Sequence, residues 1–517
     1  MNLEQVRATA EKQLSLSGDP SCLTICVGAS AADSNATQIV RLFRQAIEQG
    51  ELKADVFRTG SFGYCDLEPM VLVEMPGSEA RLLANFTPDD RAAHLSNFSK
   101  SVGNSPLISE WPLFNLQKRI ALRNCGWIDP EDINHYITHG KGYAGLAKAL
   151  KNSPPGLIRT SIQTALKGRR GQSCSAPKKW QLFAETTEKD KCLICNAVDP
   201  DPKSMTSRLL LESDPHSVLE GMLISAYVTG ASHCYLFIEE KAAVIHRLRK
   251  VLDQMKVANL LGFNILNSQF HSEIEILVMP EIGTTGHRVE LLRCMDENHT
   301  LPHILPEQPA SGIFAGKAVL VVNPESMSSV AAILGDGADY DWGSKVVTLT
   351  GSIAYRGTVE VSHGTTIQNV IDAFGGGVSK GKTIRAVQLG GPSGYFIAPS
   401  ALNHAIGCNA FDESYSSIGS GTIEVLDSDS SILNTTKGVM AYLQAQSCGK
   451  CVFCREGCLQ MLTILEDFSE NKARPHDLDL LVELGEEMRN ASLCDFGRTA
   501  PNAVLSSVKF FRDEYRK

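Results

Sequence analysis

The 517-residue sequence lacks any run of about 18 consecutive apolar residues, which is the length a membrane-spanning helix needs. Its first stretch, MNLEQVRATAEKQ, is polar, so we expect neither a signal peptide nor membrane insertion. Basic blocks are also missing: 49 Lys and Arg stand against 58 Asp and Glu, for a net charge of −9. That balance disfavours nucleic acid as a partner. Long polar runs are absent too, which indicates an ordered globular protein.

The cysteine content does not suit a disulfide framework. There are 15 cysteines, an odd number spread over a long chain, whereas disulfide-rich proteins are small and carry paired cysteines. Four of the 15 lie between Cys448 and Cys458. This crowding favours metal or redox chemistry, and we expect a cytoplasmic location.

At roughly 100–200 residues per domain, the length predicts three or four domains. Helical and strand-like patterns alternate in the first hundred residues, and a Ser/Asn-rich passage, Ser96–Ser105, is predicted to be a linker. A larger α/β region runs from Phe114 to about Leu334. Residues Lys345–Leu389 resemble a compact β-grasp unit. After Asp427, apolar residues at three- and four-residue spacing predict a helical domain.

The segment SCGKCVFCREGC is the strongest motif. Cys448, Cys451 and Cys454 form a C-x2-C-x2-C series, whose spacing lets three thiolates converge on a cuboidal iron–sulfur cluster. A fourth ligand is required, and spacing alone leaves Cys494 and Cys458 open. Zinc usually takes its cysteines in two separated pairs, so a zinc site fits this spacing less well.

The motifs SCGKCVFCREG and SLCDFGRTAPNAVLSSVKFFRDEY resemble the NuoF/HydB/HoxF family, the flavin- and NADH-binding subunits of complex I, bifurcating hydrogenases and formate dehydrogenases. NCGWIDPEDINHYI, SDPHSVLEGM and GGGVSKGKTIRAVQLGGPSG extend the likeness over roughly residues 114–517. The resemblance implies a [4Fe–4S] cluster held by four cysteines. It selects Cys494 over Cys458 and gives the ligand set Cys448, Cys451, Cys454 and Cys494.

The resemblance also predicts an α/β multidomain fold with four units. These are a thioredoxin-like domain (1–105), a NuoF-type α/β domain (114–334), an SLBB-type β-grasp-like domain (335–426) and a helical cluster domain (427–517). In the family the first unit holds a [2Fe–2S] cluster through a C-x4-C and C-x3-C pattern. The matching positions here are Cys26, Ala31, Ser61 and Cys65. Because alanine cannot bind iron and serine binds it poorly, we predict that this domain has lost its cluster.

The flavin segments of the family are altered in this sequence. Small side chains let backbone amides approach the flavin phosphate, yet the glycine-rich turn reads KGRRGQSCSAPKKW and gains bulky residues. NAVDPDP replaces an acidic residue by Val198, and TGHRVEL places His287 and Arg288 where the family has two glutamates. We therefore predict that FMN is not bound. The remnant flavin positions are Gly168, Gly171, Lys179, Asn196 and Asn323.

Three further motifs have structural interpretations. GGVSKGKT satisfies the P-loop pattern, but a helix is predicted before it and a strand after it, the reverse of a working P-loop. Cys192 and Cys195 form a CxxC inside an apolar strand, which is typical of buried thiols. His216 is predicted to lie near a helix start beside the capping residue Asp214 or Ser217.

The sequence thus predicts an iron–sulfur electron-transfer subunit of a larger cytosolic oxidoreductase complex. Its partners would be other iron–sulfur or flavin subunits, and one of them would supply the electrons. Two alternatives remain open: an FMN-dependent NAD(P)H oxidoreductase subunit, and an architectural paralogue whose cluster serves only stability.

Overall fold

The computed structural model describes residues 2–14, 22–90, 98–139, 141–152, 155–156, 176–188, 190–199, 201–279, 312–314, 317–336, 343–406 and 418–516. Within these ranges the chain forms three mixed or mostly parallel β-sheets and a carboxyl-terminal group of helices. The α/β class predicted from the sequence is therefore confirmed. None of the helices in the described ranges has both the length and the apolar character needed to cross a bilayer.

The first sheet has four strands in the order β2-β1-β3-β4. Its elements follow α1 (Leu3–Leu14) and are β1 (Leu23–Gly28), α2 (Ser34–Glu48), β2 (Ala54–Thr59), β3 (Met70–Glu74) and β4 (Arg81–Leu83). Helix α2 begins at Asp33, whose carboxylate accepts the amides of Asn35 and Ala36. Its buried residues recur every three or four positions from Ala36 to Ala46 and share a core with β1 and β3.

The predicted linker Ser96–Ser105 is wrong in part, because residues Phe98–Gly103 form helix α3. Phe98 and Val102, one helical turn apart, are buried in the core of the first sheet, and the Phe98 ring meets the edge of Phe43. The Ser and Asn content of the passage concealed these two apolar positions. A short helix, α4 (Pro112–Asn115), follows.

The second sheet has the order β7-β6-β5-β9-β8, parallel except at its last pair. Its strands are β5 (Lys191–Asn196), β6 (His233–Glu239), β7 (Glu273–Met279), β8 (Gly312–Phe314) and β9 (Lys317–Val322). Its helices are α5 (Ile133–His139), α6 (Ala144–Asn152), α7 (Ala176–Glu185), α8 (Thr206–Ser213), α9 (Pro215–Thr229), α10 (Ala242–Val257) and α11 (Pro324–Asp336). Val6 and Ala10 of α1 pack into the core of this sheet.

Helix α9 carries the SDPHSVLEGM motif and is buried along almost its whole length. Asp214 caps its first turn by accepting the Ser217 amide, Pro215 occupies the first helical position, and Gly230 ends it in the left-handed conformation. As predicted, His216 lies at the helix start, where its Nδ1 pairs with the Tyr143 hydroxyl at 2.8 Å. Cys192 and Cys195 are buried in β5, in agreement with the expectation of structural thiols.

The third sheet has the order β11-β10-β14-β12-β13. Its elements are β10 (Ser344–Gly351), β11 (Gly357–Ser362), α12 (Ile367–Ala373), β12 (Ile384–Leu389), β13 (Tyr395–Ile397) and β14 (Thr422–Asp427). GGVSKGKT connects α12 to β12, so the helix precedes the turn and the strand follows it. The Lys382 amine is held 2.7 Å from the Asp427 carboxylate. The prediction against a working P-loop is confirmed by this order.

The carboxyl-terminal part is helical: α13 (Ile432–Gln446), α14 (Val452–Ser469), α15 (Asp477–Ala491), α16 (Asp495–Thr499) and α17 (Asn502–Phe510). Apolar residues of all five helices share one core. Short 3-10 helices occupy Cys65–Leu67, Pro88–Asp90, Ile108–Glu110, Ile265–Asn267, Pro399–Ala401 and Arg512–Tyr515. The first and third sheets share another core, in which Phe62 and Leu72 lie with Val347 and Val359.

Candidate functional site

The cysteine segment connects the end of α13 to the start of α14. Cys448 follows α13, Cys451 is the residue that begins α14, and Cys454 lies in its first turn. Between them Gly449 has φ +73°, a conformation that glycine adopts without steric cost. The Arg455 guanidinium donates to the Gly449 carbonyl at 2.7 Å and fixes the turn. The chain thus reverses direction between Cys448 and Cys451.

Cys494 begins the neighbouring helix α16, and the amides of Phe496 and Gly497 donate to its sulfur. Cys494 lies within electrostatic range of Cys454 and Cys448. A Cβ atom on Gly497 would lie 2.7 Å from the Ser492 side chain and 3.1 Å from the Cys454 Cβ. A glycine at this position therefore lets α16 approach α14. The structure brings the four predicted ligands to the starts of two helices, where the backbone dipoles favour negative charge.

Cys458 has a different environment from the four predicted ligands. It is fully buried in the helical core, and its thiol donates to Cys454. This hydrogen bond lowers the pKa of Cys454 to about 7, and it raises the pKa of Cys458 well above its usual range. Burial raises the pKa of Cys494 to about 11. The thiolate of the pair thus belongs to Cys454, with Cys458 as its donor.

The donor set fits an iron–sulfur cube. Four cysteine sulfurs are the ligands that a [4Fe–4S] cluster takes, and each sulfur binds a different iron. Within the described ranges, no group of three or more His, Cys, Asp or Glu converges as a single ion would require. A cube does not require that convergence. The surface beside the ligands is apolar, since Val452 is 58% exposed and Phe453 47% exposed.

Much of the predicted flavin region lies outside the described residues. This applies to Gly168 and Gly171, to the side chain of Lys179, and to residues 280–311, which contain His287 and Arg288. Trp180, which follows Lys179, is buried in the core of the second sheet. The described part of the region surrounds the ends of β5 and β6.

A cavity of about 380 Å³ lies at the carboxyl ends of these two strands. Open α/β sheets bind ligands at this edge. The cavity extends to α13, because Tyr442 and Gln446 also line it, and Gln446 is two residues before Cys448. The remaining lining residues are Ala197, Asp199, Asp201, Pro202, Ser204, Met205, Arg208, Leu211, Ile238, Glu239, Lys241 and Val244. The cavity therefore reaches from the sheet to the cysteine segment.

Asp199 is the most perturbed acid of this cavity. Burial, with smaller contributions from Glu239 and Asp201, raises the pKa of Asp199 to about 7, although Ser207 donates to it from its hydroxyl and amide. The basic residues of the cavity already have partners: Arg208 contacts Glu212 and Lys241 contacts Glu239, each at 2.6 Å. These pairs reduce the positive charge available to a phosphate.

The other remnant positions have local structural contacts. Asn196 accepts the Val198 amide at 3.0 Å, and Val198 is buried in an apolar cluster with Ile194 and Phe237. Asn323 accepts the amide of Ser326 at the start of α11. Each of these contacts stabilises a turn or a core.

Glu325, a further survivor of the family motif, is buried in an ion pair with Lys345 at 3.1 Å. Its second oxygen accepts the Val346 amide at 2.8 Å. The carboxylate therefore joins α11 to β10, and both of its oxygens are engaged.

The amino-terminal cluster positions contain a hydrogen-bond network that the sequence did not reveal. The Ala31 amide donates to Glu212 and the neighbouring Ser30 amide donates to Glu68, each at 2.9 Å. The Ser61 hydroxyl also donates to Glu68. We name Glu68 and Glu212 the carboxylate pair. Burial and the nearby Glu212 raise the pKa of Glu68 to about 7. Glu212 comes from α8, far along the chain, so no local motif could have identified it.

Cys26 and Cys65 are the two cysteines left in this region. Cys26 is buried, with its thiol directed to the Trp127 carbonyl at 3.9 Å, and burial raises its pKa far above the usual value. Cys65 is exposed, and partial desolvation raises its pKa. Both environments favour the thiol form over the thiolate that iron requires.

Family models match two stretches of the chain. The model described as "NADH-ubiquinone oxidoreductase-F iron-sulfur binding region" matches residues 434–517, and "Nuo51 FMN-binding domain" matches residues 162–332. The NADP-reducing hydrogenase subunit HndC of Solidesulfovibrio fructosivorans is 36% identical over 408 residues, which cover 77% of this chain and 83% of that protein. The chain belongs to the NuoF/HndC family. The resemblance found in the sequence is thereby confirmed.

Other NuoF/HndC relatives are NADH-quinone oxidoreductase subunits F. That of Streptomyces coelicolor is 29% identical over 403 residues, covering 76% of this chain and 89% of the relative. That of Aquifex aeolicus is 28% identical over 403 residues, covering 74% and 91%. The family comprises NADH-binding subunits of oxidoreductase complexes, with FMN and [4Fe–4S] regions.

A solved structure supports the fold over nearly the whole chain. The crystal structure of an NAD+-reducing [NiFe]-hydrogenase in the H2-reduced state matches 99% of this chain and 89% of that chain, with a TM-score of 0.66 and 22% identity. At this identity the match concerns the fold alone. It includes the residues before 114, where the sequence resemblance was weakest.

Proposed function

We propose that this NuoF/HndC-family chain is an electron-transfer subunit that relays electrons through one [4Fe–4S] cluster and has no FMN or NADH site of its own. The observation that carries the proposal is the grouping of Cys448, Cys451, Cys454 and Cys494 at the starts of α14 and α16. When bound, the cluster would accept and donate single electrons. The larger oxidoreductase complex would supply the donor and the acceptor as separate subunits.

The protein contributes to the proposed cluster site in two ways. Amides at the start of α16 donate to Cys494, which favours its thiolate, and Cys458 donates to Cys454. Hydrogen bonds to ligand sulfurs and nearby positive charge both raise the reduction potential of a cluster. Arg455 is placed for the second effect by its bond to the turn between the ligands.

The absence of flavin chemistry is inferred from what the altered positions do in the fold. Val198 is part of an apolar cluster, and Glu325 is occupied by Lys345 and the Val346 amide. The basic residues of the cavity are paired with carboxylates. Together with the bulky residues in the glycine-rich turn, these contacts support a site that no longer holds a flavin phosphate.

The exposed apolar surface beside the cluster ligands supports a contact with a redox partner. Val452 and Phe453 lie between Cys451 and Cys454, and Leu459 follows Val452 two helical turns later. Buried apolar side chains at the centre of an interface bring redox centres close and exclude water. We propose that an iron–sulfur or flavin subunit binds here.

We assign the four units as in the family: a thioredoxin-like domain (1–105) without a cluster, a NuoF-type α/β domain (114–334), an SLBB-type β-grasp-like domain (335–426) and a helical [4Fe–4S] domain (427–517). The four-stranded β2-β1-β3-β4 sheet with α2 against it supports the first assignment. The carboxylate pair supports the loss of the [2Fe–2S] cluster, because it occupies the amides around Ala31.

Two matched cysteine variants test the ligand set. Cys494→Ser should abolish the [4Fe–4S] cluster, because serine is a poor ligand for iron. Cys458→Ser should retain it, because a hydroxyl at this position can still donate to Cys454. Iron and sulfide content and the electron paramagnetic resonance spectrum of anaerobically purified protein measure both. Equal cluster loss in the two variants, or full retention in Cys494→Ser, would contradict the assignment.

An FMN-dependent NAD(P)H oxidoreductase subunit is the second candidate, and the cavity of about 380 Å³ at the sheet edge favours it. The flavin content of the purified protein distinguishes the two functions. We expect less than a tenth of an equivalent of flavin per chain, on the order of adventitious binding. A full equivalent of flavin that is bleached by NADH would overturn the proposal.

A purely architectural cluster is tested separately by redox titration. We expect the cluster to be reduced and reoxidised reversibly within the range that iron–sulfur proteins use, roughly −700 to +450 mV. A cluster that keeps its iron but does not change its spectrum over this range would reduce the role of the subunit to that of a scaffold.

A further inference from the structure

A second cavity, of about 370 Å³, lies away from the cysteine segment and from the flavin region. It is formed where the segment around α4 meets the third sheet and α12. Its lining residues are Pro106, Glu110, Trp111, Leu113, Tyr355, Asp372, Ala373 and Gly376. None of these residues contributes to the proposed electron transfer.

Tyr355 forms an aromatic wall that the surrounding backbone holds in place. Its amide donates to the Gly375 carbonyl at 2.9 Å. Gly376 has φ +68°, and a Cβ atom there would lie 2.9 Å from the Tyr355 ring. The next residue, Arg356, is anchored to Asp66 by its amide and guanidinium. The ring thus rests against Gly376, and 40% of the Tyr355 residue surface is exposed.

Trp111 forms the second aromatic wall. Its amide donates to the Ile108 carbonyl at 3.2 Å, and its own carbonyl accepts the Phe114 amide at 2.9 Å. The indole N–H is buried and has no hydrogen-bond partner within the described ranges. A buried donor left without an acceptor costs free energy, and a ligand or an ordered water can satisfy it.

The charge of the lining is of one sign. Glu110 and Asp372 are its charged side chains, and the eight lining residues include no Lys, Arg or His. One oxygen of Glu110 accepts the Leu107 amide and one oxygen of Asp372 accepts the Gln368 side chain, each at 2.8 Å. These bonds fix both carboxylates at the cavity and engage one oxygen of each.

We propose that this cavity binds a small organic cation of the ammonium class. The faces of tryptophan and tyrosine attract ammonium groups, and sites that recognise quaternary ammonium combine such rings with carboxylates. The volume lies at the lower end of the range for small-molecule pockets, which matches a ligand the size of choline. The unpartnered indole N–H would donate to a hydroxyl or carbonyl on the same ligand.

Isothermal titration of the full-length, cluster-loaded protein with two probes tests this site. Choline carries the charge, and 3,3-dimethylbutan-1-ol has the same shape without it. We expect choline to bind once per chain and the neutral alcohol to bind at least about tenfold more weakly. No binding of choline at about 20 mM, or equal binding of both probes, would overturn the proposal.

Two matched carboxylate variants locate the site. Asp372→Asn should weaken choline binding roughly fivefold, because a half-exposed charge next to the cation is removed. Asp253→Asn, at an exposed position on α10 far along the chain from the lining residues, should leave it unchanged. Equal effects of the two substitutions would overturn the assignment to this cavity. Neither result depends on the flavin or iron content, so this test stands apart from that of the proposed function.

Discussion

Restoring the missing ligands of the amino-terminal domain should not restore its cluster. The double variant Ala31→Cys with Ser61→Cys completes the family pattern together with Cys26 and Cys65. We predict that this variant still purifies without a [2Fe–2S] cluster. The carboxylate pair accounts for the prediction, because it already takes the amide donors on the loop that a cluster would have to approach.

The magnitude follows from the contacts that a cluster would displace. Hydrogen bonds from amides to charged or partly charged acceptors contribute roughly 1–3 kcal/mol each, so the two amide bonds of the pair oppose displacement by about 2–6 kcal/mol. Cys26 adds a further barrier, since burial raises its pKa far above the usual value and its thiolate would have to form without solvent. A cluster assembled by labile thiolate exchange does not overcome such a barrier at neutral pH.

Iron and sulfide analysis with electron paramagnetic resonance measures the outcome, and the carboxyl-terminal cluster serves as an internal control for iron delivery. We expect the same iron content in the double variant as in the wild-type protein. About two additional irons per chain with a [2Fe–2S] spectrum would refute the reasoning. Adding Glu68→Gln and Glu212→Gln should increase iron uptake, and no increase would show that the carboxylate pair is not the cause.

Two further predictions concern stability. Gly221→Ala should lower the free energy of unfolding by at least about 2 kcal/mol, since its Cβ would lie 1.9 Å from the Met327 carbonyl oxygen, whereas Gly438→Ala, with open space around it, should raise it by about 1 kcal/mol; thermal unfolding of both variants measures the difference. Burial lowers the pKa of His216 from 6.5 to about 3, so only the unfolded chain gains this proton as the pH falls below 6.5. The wild-type protein should therefore lose about 1.4 kcal/mol per pH unit more than His216→Gln in acid denaturation, and parallel pH profiles would contradict this.

The regular elements could be predicted from the sequence because their signals are local. The run Cys192–Ala197 gave β5 and the apolar spacing of Asp477–Arg489 gave α15, each within two residues of the observed bounds. Helix α3 was missed because only Phe98 and Val102 mark its buried face, in a passage otherwise rich in Ser and Asn. A pattern of two positions is too short to reveal a period.

The candidate site divides in the same way. The C-x2-C-x2-C series is contiguous, so its spacing is visible in the sequence, but the choice between Cys494 and Cys458 depended on a resemblance. The structure supplies a physical difference between the two, since Cys494 begins a helix and Cys458 is buried as a donor to Cys454. The cavities could not be foreseen, because their walls come from segments that are distant in the chain.

The two proposed cluster positions differ in which group accepts the backbone amides. At the start of α16, the amides of Phe496 and Gly497 donate to the Cys494 sulfur itself. In the loop after β1, the Ser30 and Ala31 amides donate to Glu68 and Glu212. Buried amides require an acceptor, so the loss of a cluster and its ligands leaves a cost that carboxylates can remove. Once they do, the loop is stable without iron and the ancestral site is closed, which accounts for a fold retained without its cofactor.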